Sequence, residues 1–319
     1  MTWPQMQEAG FYRAPARFRA GALLDEGSFK ELVGPELGIT SEHLAELGEA
    51  VAFDDGIVVA AGRIAGRPAF VISQEGRFIG GSVGEVGGAK MVGAFLAALS
   101  LYEKAEQKYP GDGSRHPALV ISFETGGVRL HEANAGLLAH AEIMELLQRC
   151  RGKVPVIALV GSRLGCFGGM GFVAAACDVL IMSERGRIGL TGPEIIEQVM
   201  GKKEFDSRDR ALIYRTTGGK NRYILGDCAF LVEDSLGAFR TKVMQALALP
   251  PEEFARLRLI GTPELLARRL EMTALAADLK PRDATEVWAH FGNPEPEAIP
   301  DMEHADFLRA ARTAKGGPR

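Results

Sequence analysis

Cysteine is scarce: Cys150, Cys166, Cys177 and Cys228 are the only four in 319 residues. No two stand in C-x-x-C spacing, which removes a zinc ribbon and a thioredoxin-type redox motif. So few in so long a chain do not make a disulfide framework, and free thiols in a reducing compartment are expected. Charge of one sign does not accumulate either. The 37 Lys and Arg face 41 Asp and Glu, a formal net charge of −4, which gives no electrostatic reason to bind nucleic acid or anionic membrane as a main task. Long apolar runs are also missing. The longest, Met91 to Tyr102, lies between Lys90 and Glu103 and is too short to span a bilayer. The opening residues MTWPQMQEAGFYR hold no apolar stretch of the signal-peptide kind. A cytoplasmic protein without membrane or nucleic-acid partners is the expectation.

What remains is an ordinary globular balance, 46% apolar and 24% charged, with an abundance of glycine, 39 residues. Residues 1–50 read as an arm with short helices, including a turn-plus-helix over 25–32. Extended patterns at 57–64 and 69–73 around a Gly66-Arg67-Pro68 turn predict a hairpin. A glycine-rich loop, 80–88, then leads into a helix over about 89–108. Residues 118–123 (ALVISF) read as a buried strand, and Gly126-Gly127 opens a long helix. The unit repeats as strand 154–160, loop 161–167, helix 168–176 and strand 179–182. Such alternation fits an α/β fold of stacked ββα units over 51–234. Beyond it, 235–248, 262–276 and 282–291 predict a helical extension that runs to 319. From Gly292 onward the chain reads as a partly mobile tail.

Several motifs compete for the chemistry. Gly80-Gly81-Ser82-Val83-Gly84 fits the G-x-S-x-G nucleophile elbow, although a hairpin precedes it rather than the usual strand–helix series. The string 169–174 (GMGFVA) approximates a dinucleotide fingerprint, but a loop separates it from its strand. Gly218-Gly219-Lys220 lacks the upstream glycine and following Ser/Thr of a P-loop. His131, Glu132 and His140 share one predicted helix and make a metal site conceivable. A fifth candidate is a pair. Gly126-Gly127-Val128 and Gly168-Gly169-Met170 each join a buried strand to a helix start, where backbone N–H groups lack partners. Two such groups converging would make an oxyanion hole; tight packing turns account for the pattern equally well.

Five blocks in order give the chain a resemblance to the N-terminal-type carboxyltransferase subunits of the crotonase superfamily, over about 13–235. They are 23–32 (LLDEGSFKEL), 78–90 (FIGGSVGEVGGAK), 126–132 (GGVRLHE), 167–170 (FGGM) and 188–197 (IGLTGPEIIE). Residues 216–227 (TTGGKNRYILGD) and the helical extension make it most similar to the beta-subunit family of biotin-independent malonate decarboxylases. The resemblance implies a crotonase/ClpP-like fold. It also implies decarboxylation of a malonyl thioester to an acetyl thioester, with the enolate oxygen held by the backbone N–H groups of Val128 and Gly169. Gly127 and Gly168 would shape the two turns, and Gly126, Met170, Gly80 and Gly81 would line the substrate. Phe172 stands where hydratases of the superfamily place a glutamate, which disfavours water addition.

The same resemblance implies a homologous gamma subunit, an acyl-transferase alpha subunit and an acyl carrier protein. The carrier would present malonate on a phosphopantetheine-type group derived from dephospho-CoA, with neither biotin nor zinc on this chain. A biotin-dependent acyl-CoA carboxyltransferase subunit is the alternative, and a catalytically silent scaffold of the same fold the third reading.

Overall fold

The computed structural model describes residues 2–46, 48, 56–258 and 263–312. The chain opens with helices α1 (Trp3–Glu8) and α2 (Ala16–Leu23), strand β1 (Lys30–Val33) and the short α3 (Glu42–Glu46). Strands β2 (Ile57–Ile64) and β3 (Arg67–Gln74) follow as the expected hairpin, then α4 (Glu85–Lys108), β4 (Ala118–Phe123), α5 (Ala135–Cys150) and β5 (Val156–Val160). The rest is α6 (Gly169–Ala176), β6 (Val179–Ser183), α7 (Pro193–Met200), α8 (Arg210–Thr217), α9 (Gly219–Ile224) and β7 (Phe230–Val232). The end of the chain is helical: α10 (Leu236–Leu247), α11 (Pro251–Ala255), α12 (Pro263–Leu279), α13 (Ala284–His290) and α14 (His304–Ala310).

One seven-stranded sheet runs in chain order β1 to β7. The β1–β2 and β2–β3 pairs are antiparallel, and every later pair is parallel. Both faces are covered, so the central strands are apolar at nearly every position rather than alternating. Leu119, Ile121, Ala158, Val160, Leu180 and Met182 face the core that also holds Met91, Ile143 and Trp288. Their neighbours Val120, Ile157, Leu159 and Ile181 face the opposite core, with Leu23, Phe239 and Val243. Among the described residues no helix is long and apolar enough to cross a membrane.

Four expectations need correction. Residues 30–33 form a strand paired to β2 (Lys30 opposite Ala61), not a helix, because they extend the sheet at its open edge. Helix α4 begins at Glu85, inside the segment expected to be a loop; its glycines permit close helix packing, since a Cβ on Gly88 would run into Ala139 of α5. The helix expected from Gly127 starts only at Ala135, after a 3-10 turn at Leu130–Glu132 and a positive φ at Ala133. Residues 292–312 are packed rather than tail-like: Ile299 and Phe307 are buried in the first core. The final residues 313–319 lie outside the described part.

Candidate active site

The parallel strands β3, β4 and β5 end on one edge of the sheet, and in open α/β sheets ligands bind outside those carboxyl ends. The glycine turns leave from this edge. From β4 the chain passes through Glu124 and Thr125 into Gly126-Gly127-Val128, and from β5 through 161–167 into Gly168-Gly169. Two bonds stitch the turns together: the Phe167 N–H donates to the Thr125 carbonyl at 2.9 Å, and the Thr125 N–H to that of Gly165 at 2.9 Å. Gly127 (φ +110°) and Gly168 (φ +65°) face each other directly. A Cβ on Gly127 would lie 2.9 Å from the Gly168 Cα, and one on Gly168 would lie 2.9 Å from the Gly127 Cα. Backbone therefore packs against backbone, with no room for a side chain and with φ values that L-residues rarely adopt.

Most polar main-chain groups here are used. The Gly127 N–H donates to Thr125 Oγ1 at 2.9 Å, and the Gly168 N–H to the Leu190 carbonyl at 2.8 Å. The N–H groups of Val128 and Gly169 differ: among the described residues no hydrogen bond takes up either donor. Gly169 is the first residue of α6, whose orphan donors carry the positive end of the helix dipole. Val128 pairs edgewise with Val83, so its neighbours' groups bond to that segment and its own N–H is left over. Val128 and Gly169 are half-buried. Two main-chain donors, one of them at a helix start, are thus left without protein partners on adjoining turns.

Behind the turns stands His140 on α5, 8% exposed. Its Nδ1 lies 2.6 Å from the Gly136 carbonyl, so the neutral ring carries its proton there. Burial pushes the imidazole below its ordinary value, against the raising effect of that bond. Nε2 is buried without a partner among the described residues and lies 3.0 Å from where a Gly169 Cβ would sit. One helical turn earlier, a Cβ on Gly136 would lie 2.9 Å from Val128 Cγ1. Helix α5 thus supports both donor turns, through Gly136 and His140. Sequence reading considered His140 as a metal ligand and as one of six histidines available to a triad, not as a support of the turns; its place on the buried stripe with Gly136, Ala139 and Ile143 was the available signal.

The other candidates resolve into structural roles. Ser82 donates to the Ile79 carbonyl at 2.8 Å and accepts from Arg129. Gly80 and Gly81 have positive φ, and the Gly80 carbonyl accepts from the Gly126 N–H at 2.9 Å, so this turn buttresses the first donor turn. Met170 sends its side chain into the core, fully buried, leaving only its main chain toward the turn. Glu132 is fully buried, paired with Arg129 at 3.0 Å and accepting from the Glu85 N–H at 2.5 Å. Its carboxylate therefore seals the N-terminus of α4, while His131 is exposed; no metal-holding cluster occurs among the described residues. Lys220 is clamped, donating to the carbonyls of Ile299, Pro300 and Met302 at 3.1, 3.1 and 2.5 Å. Sequence reading missed the pair behind Glu124. Its Oε2 accepts from fully buried Arg19 at 2.8 Å, which ties α2 to the root of the first turn. All four cysteines are buried free thiols; burial pushes Cys150 up to about 12 and raises Cys166 and Cys177 too, so none of these three serves as a thiolate nucleophile.

Several large apolar side chains on and after the turns, and on α5 and α7, are exposed among the described residues. Leu130 is 79% exposed, Phe172 59% and Val199 75%, with Leu137, Leu138, Leu190, Ile195 and Met200 exposed as well. Exposed apolar side chains in this number are more than a scatter of single surface residues.

Comparison with known proteins identifies the family of the chain. Residues 13–250 match the family described as the carboxyl transferase domain. The chain is 55% identical over 314 residues to the malonyl-S-ACP:biotin-protein carboxyltransferase MADC of Malonomonas rubra, covering 98% of this chain and 99% of that one. Among solved structures it is similar to a Pseudomonas malonate decarboxylase hetero-tetramer in complex with malonate, with a TM-score of 0.75 and 39% identity over 89% of this chain and 98% of that one. A Pseudomonas MdcD-MdcE hetero-dimer gives a TM-score of 0.59 and 38% identity, over 76% and 90% of the two chains. The fold is the crotonase type of these carboxyltransferases, as the sequence blocks implied.

Proposed function

Because the chain belongs to the carboxyl transferase domain family, we propose that it removes the carboxyl group of a malonyl thioester in company with a second subunit. The observation that carries this reading is the pair of unpaired N–H groups, Val128 and Gly169, on two turns in backbone contact. The thioester oxygen sits between them. As the bond from Cα to the carboxylate breaks, its electron pair moves into an enolate whose charge gathers on that oxygen, and CO2 departs. The Cα then takes a proton from water, so malonyl thioester and one proton give acetyl thioester and CO2. No side-chain base is needed to begin, because the carbanion arises from the loss of CO2 itself. Each donor of this type contributes about 2.7–4 kcal/mol to the transition state.

The malonate would arrive on a phosphopantetheine-type arm of an acyl carrier protein, loaded by an acyl-transferase alpha subunit. A gamma subunit of the same fold would cover the apolar rim around Phe172 and Leu130. The hetero-tetrameric and hetero-dimeric neighbours support a heteromeric assembly.

A second reading differs in where the carboxyl goes. The relative that is 55% identical is named for transfer to a biotin protein, and that favours passing the CO2 to biotin on a partner instead of releasing it. Both readings share the enolate and its two donors. The test is CO2 release from malonyl-acyl carrier protein by this chain co-expressed with its gamma-type partner, with and without avidin. Avidin-insensitive release supports the biotin-independent reaction. Release that avidin abolishes, or that needs an added biotinylated protein, supports the second. Absence of malonyl-dependent acetyl thioester under every condition overturns both.

A further inference from the structure

At the opposite edge of the sheet, where β3, β5 and β6 begin, a cavity of about 320 Å³ lies beneath the segment joining α10 to α11. Arg67, the first residue of β3, lines it together with Lys153, Arg258, Asp178, Leu247 and Phe254. The cations outnumber the anions. Asp178 is already committed: its Oδ1 accepts from Arg151 at 2.6 Å and Arg258 at 2.7 Å, and its Oδ2 from the Val156 N–H at 2.9 Å. Arg67 has only the His116 carbonyl, which its Nε reaches at 2.9 Å, and no carboxylate pairs with it or with Lys153 among the described residues. Burial alone lowers the Arg67 pKa, so its charge is desolvated without compensation. A half-buried guanidinium with free terminal nitrogens is a bidentate fork for a planar anion.

We propose that this cavity is a non-catalytic binding site for a short-chain carboxylate. Arg67 and Lys153 hold the carboxylate, and Leu247 and Phe254 cover the hydrocarbon end. The size suits a compact molecule, and the apolar wall separates this site from a plain phosphate cradle, which would be built of main-chain N–H groups. It lies on the opposite edge of the sheet from the donor turns and does not depend on the reaction assigned to them.

The test is calorimetric titration of the full chain with acetate, propionate and butyrate at constant ionic strength, with chloride and inorganic phosphate as controls. Saturable binding of one carboxylate per chain is expected, tightening from acetate to butyrate. Arg67→Met should weaken it roughly ten-fold or more, the usual loss for a charge-assisted pair. Arg67→Lys keeps the charge without the fork and should also lose most of the affinity, which keeps the test sound if Arg67→Met fails to fold. Non-saturable heats, equal binding by Arg67→Lys, or phosphate binding as tightly as butyrate would overturn the assignment.

Discussion

If the Gly169 N–H stabilises an enolate oxygen, two substitutions at that position should respond in opposite ways to the removal of one neighbour. In Gly169→Ala the donor is kept, but the new Cβ would sit 2.6 Å from His140 Cδ2 and 3.0 Å from Nε2. Ordinary carbon contacts are about 3.5–4.0 Å, so the ring or the turn must yield by about 1 Å. The ring is held by its bond to Gly136, so the turn moves. A displacement of that size costs on the order of 10²-fold in rate. Gly169→Pro suits the φ of a first helical position and brings the same Cβ against His140, but it also deletes the donor outright, so a loss of about 10²–10³ in kcat should persist even where that Cβ has room. Truncating His140 to Ala opens space for the methyl that Gly169→Ala introduces but cannot restore a missing N–H. The Gly169→Ala/His140→Ala pair should therefore recover to within about ten-fold of His140→Ala alone, by a coupling of neighbours, whereas Gly169→Pro/His140→Ala should not recover. Acetyl thioester formation by the assembled complex is the assay, with assembly checked by gel filtration. Wild-type-like turnover in Gly169→Pro would refute the donor role; failure of the alanine pair to recover would refute the packing argument.

Three other outcomes are expected. Lys220→Met leaves the carbonyls of Ile299, Pro300 and Met302 without their donor and should destabilise the chain by about 2–4 kcal/mol; limited proteolysis should then cut first within 292–312, and a wild-type digestion pattern would contradict the clamp. His140, with its pKa depressed by burial, stays neutral in the folded chain while the unfolded chain takes up a proton as pH falls through 6.5. Stability is therefore lost on the acid side of that value; the fall in Tm between roughly pH 7 and 5.5 should be shallower in His140→Gln, and parallel curves would contradict it. His43, raised by its bond to Glu85, acts in the reverse sense and is unchanged between the two proteins. Phe172→Asp and Val199→Asp should fold normally but fail to co-purify with the second subunit, since both side chains lie mostly exposed on the rim; retention of the complex by both variants would move the interface elsewhere.

The central sheet was legible because its strands are continuous β-branched and aliphatic runs. ALVISF at 118–123 and VIALV at 156–160 leave no other reading once both faces are buried. The hairpin followed from two extended segments around a glycine, but its turn is Ala65-Gly66 rather than the expected Gly66-Arg67-Pro68, since Arg67 and Pro68 already pair in β3 opposite Ile64 and Arg63. The two glycine turns were visible as glycine pairs after strands, but their contact with each other was not. It joins Gly127 to Gly168, far away along the chain, which no local pattern encodes. Glycine also misled in the other direction: Gly87 and Gly88 look like loop residues, yet they sit in the first turn of α4, where Ala139 needs the space beside Gly88. Residues 30–33 show too little periodicity to separate strand from helix, and only the partner β2 decides. Buried charge is equally silent in sequence. Arg19, Glu124 and Glu132 read as surface residues until their partners are known.

The contact between Gly127 and Gly168 acts as a calliper. Two main chains touching without intervening side chains fix the separation of the donors as rigidly as a covalent spacer would, and nothing adjustable lies between them. Catalytic tuning cannot then come from the floor of the pocket. On the proposed function it is left to the partner surface that would close over Phe172 and Leu130, which would make substrate choice a property of the pairing rather than of either chain. On the proposed function, a cell that produced this subunit in excess would hold half-built sites, each with its two donors in place and nothing to hold a thioester against them.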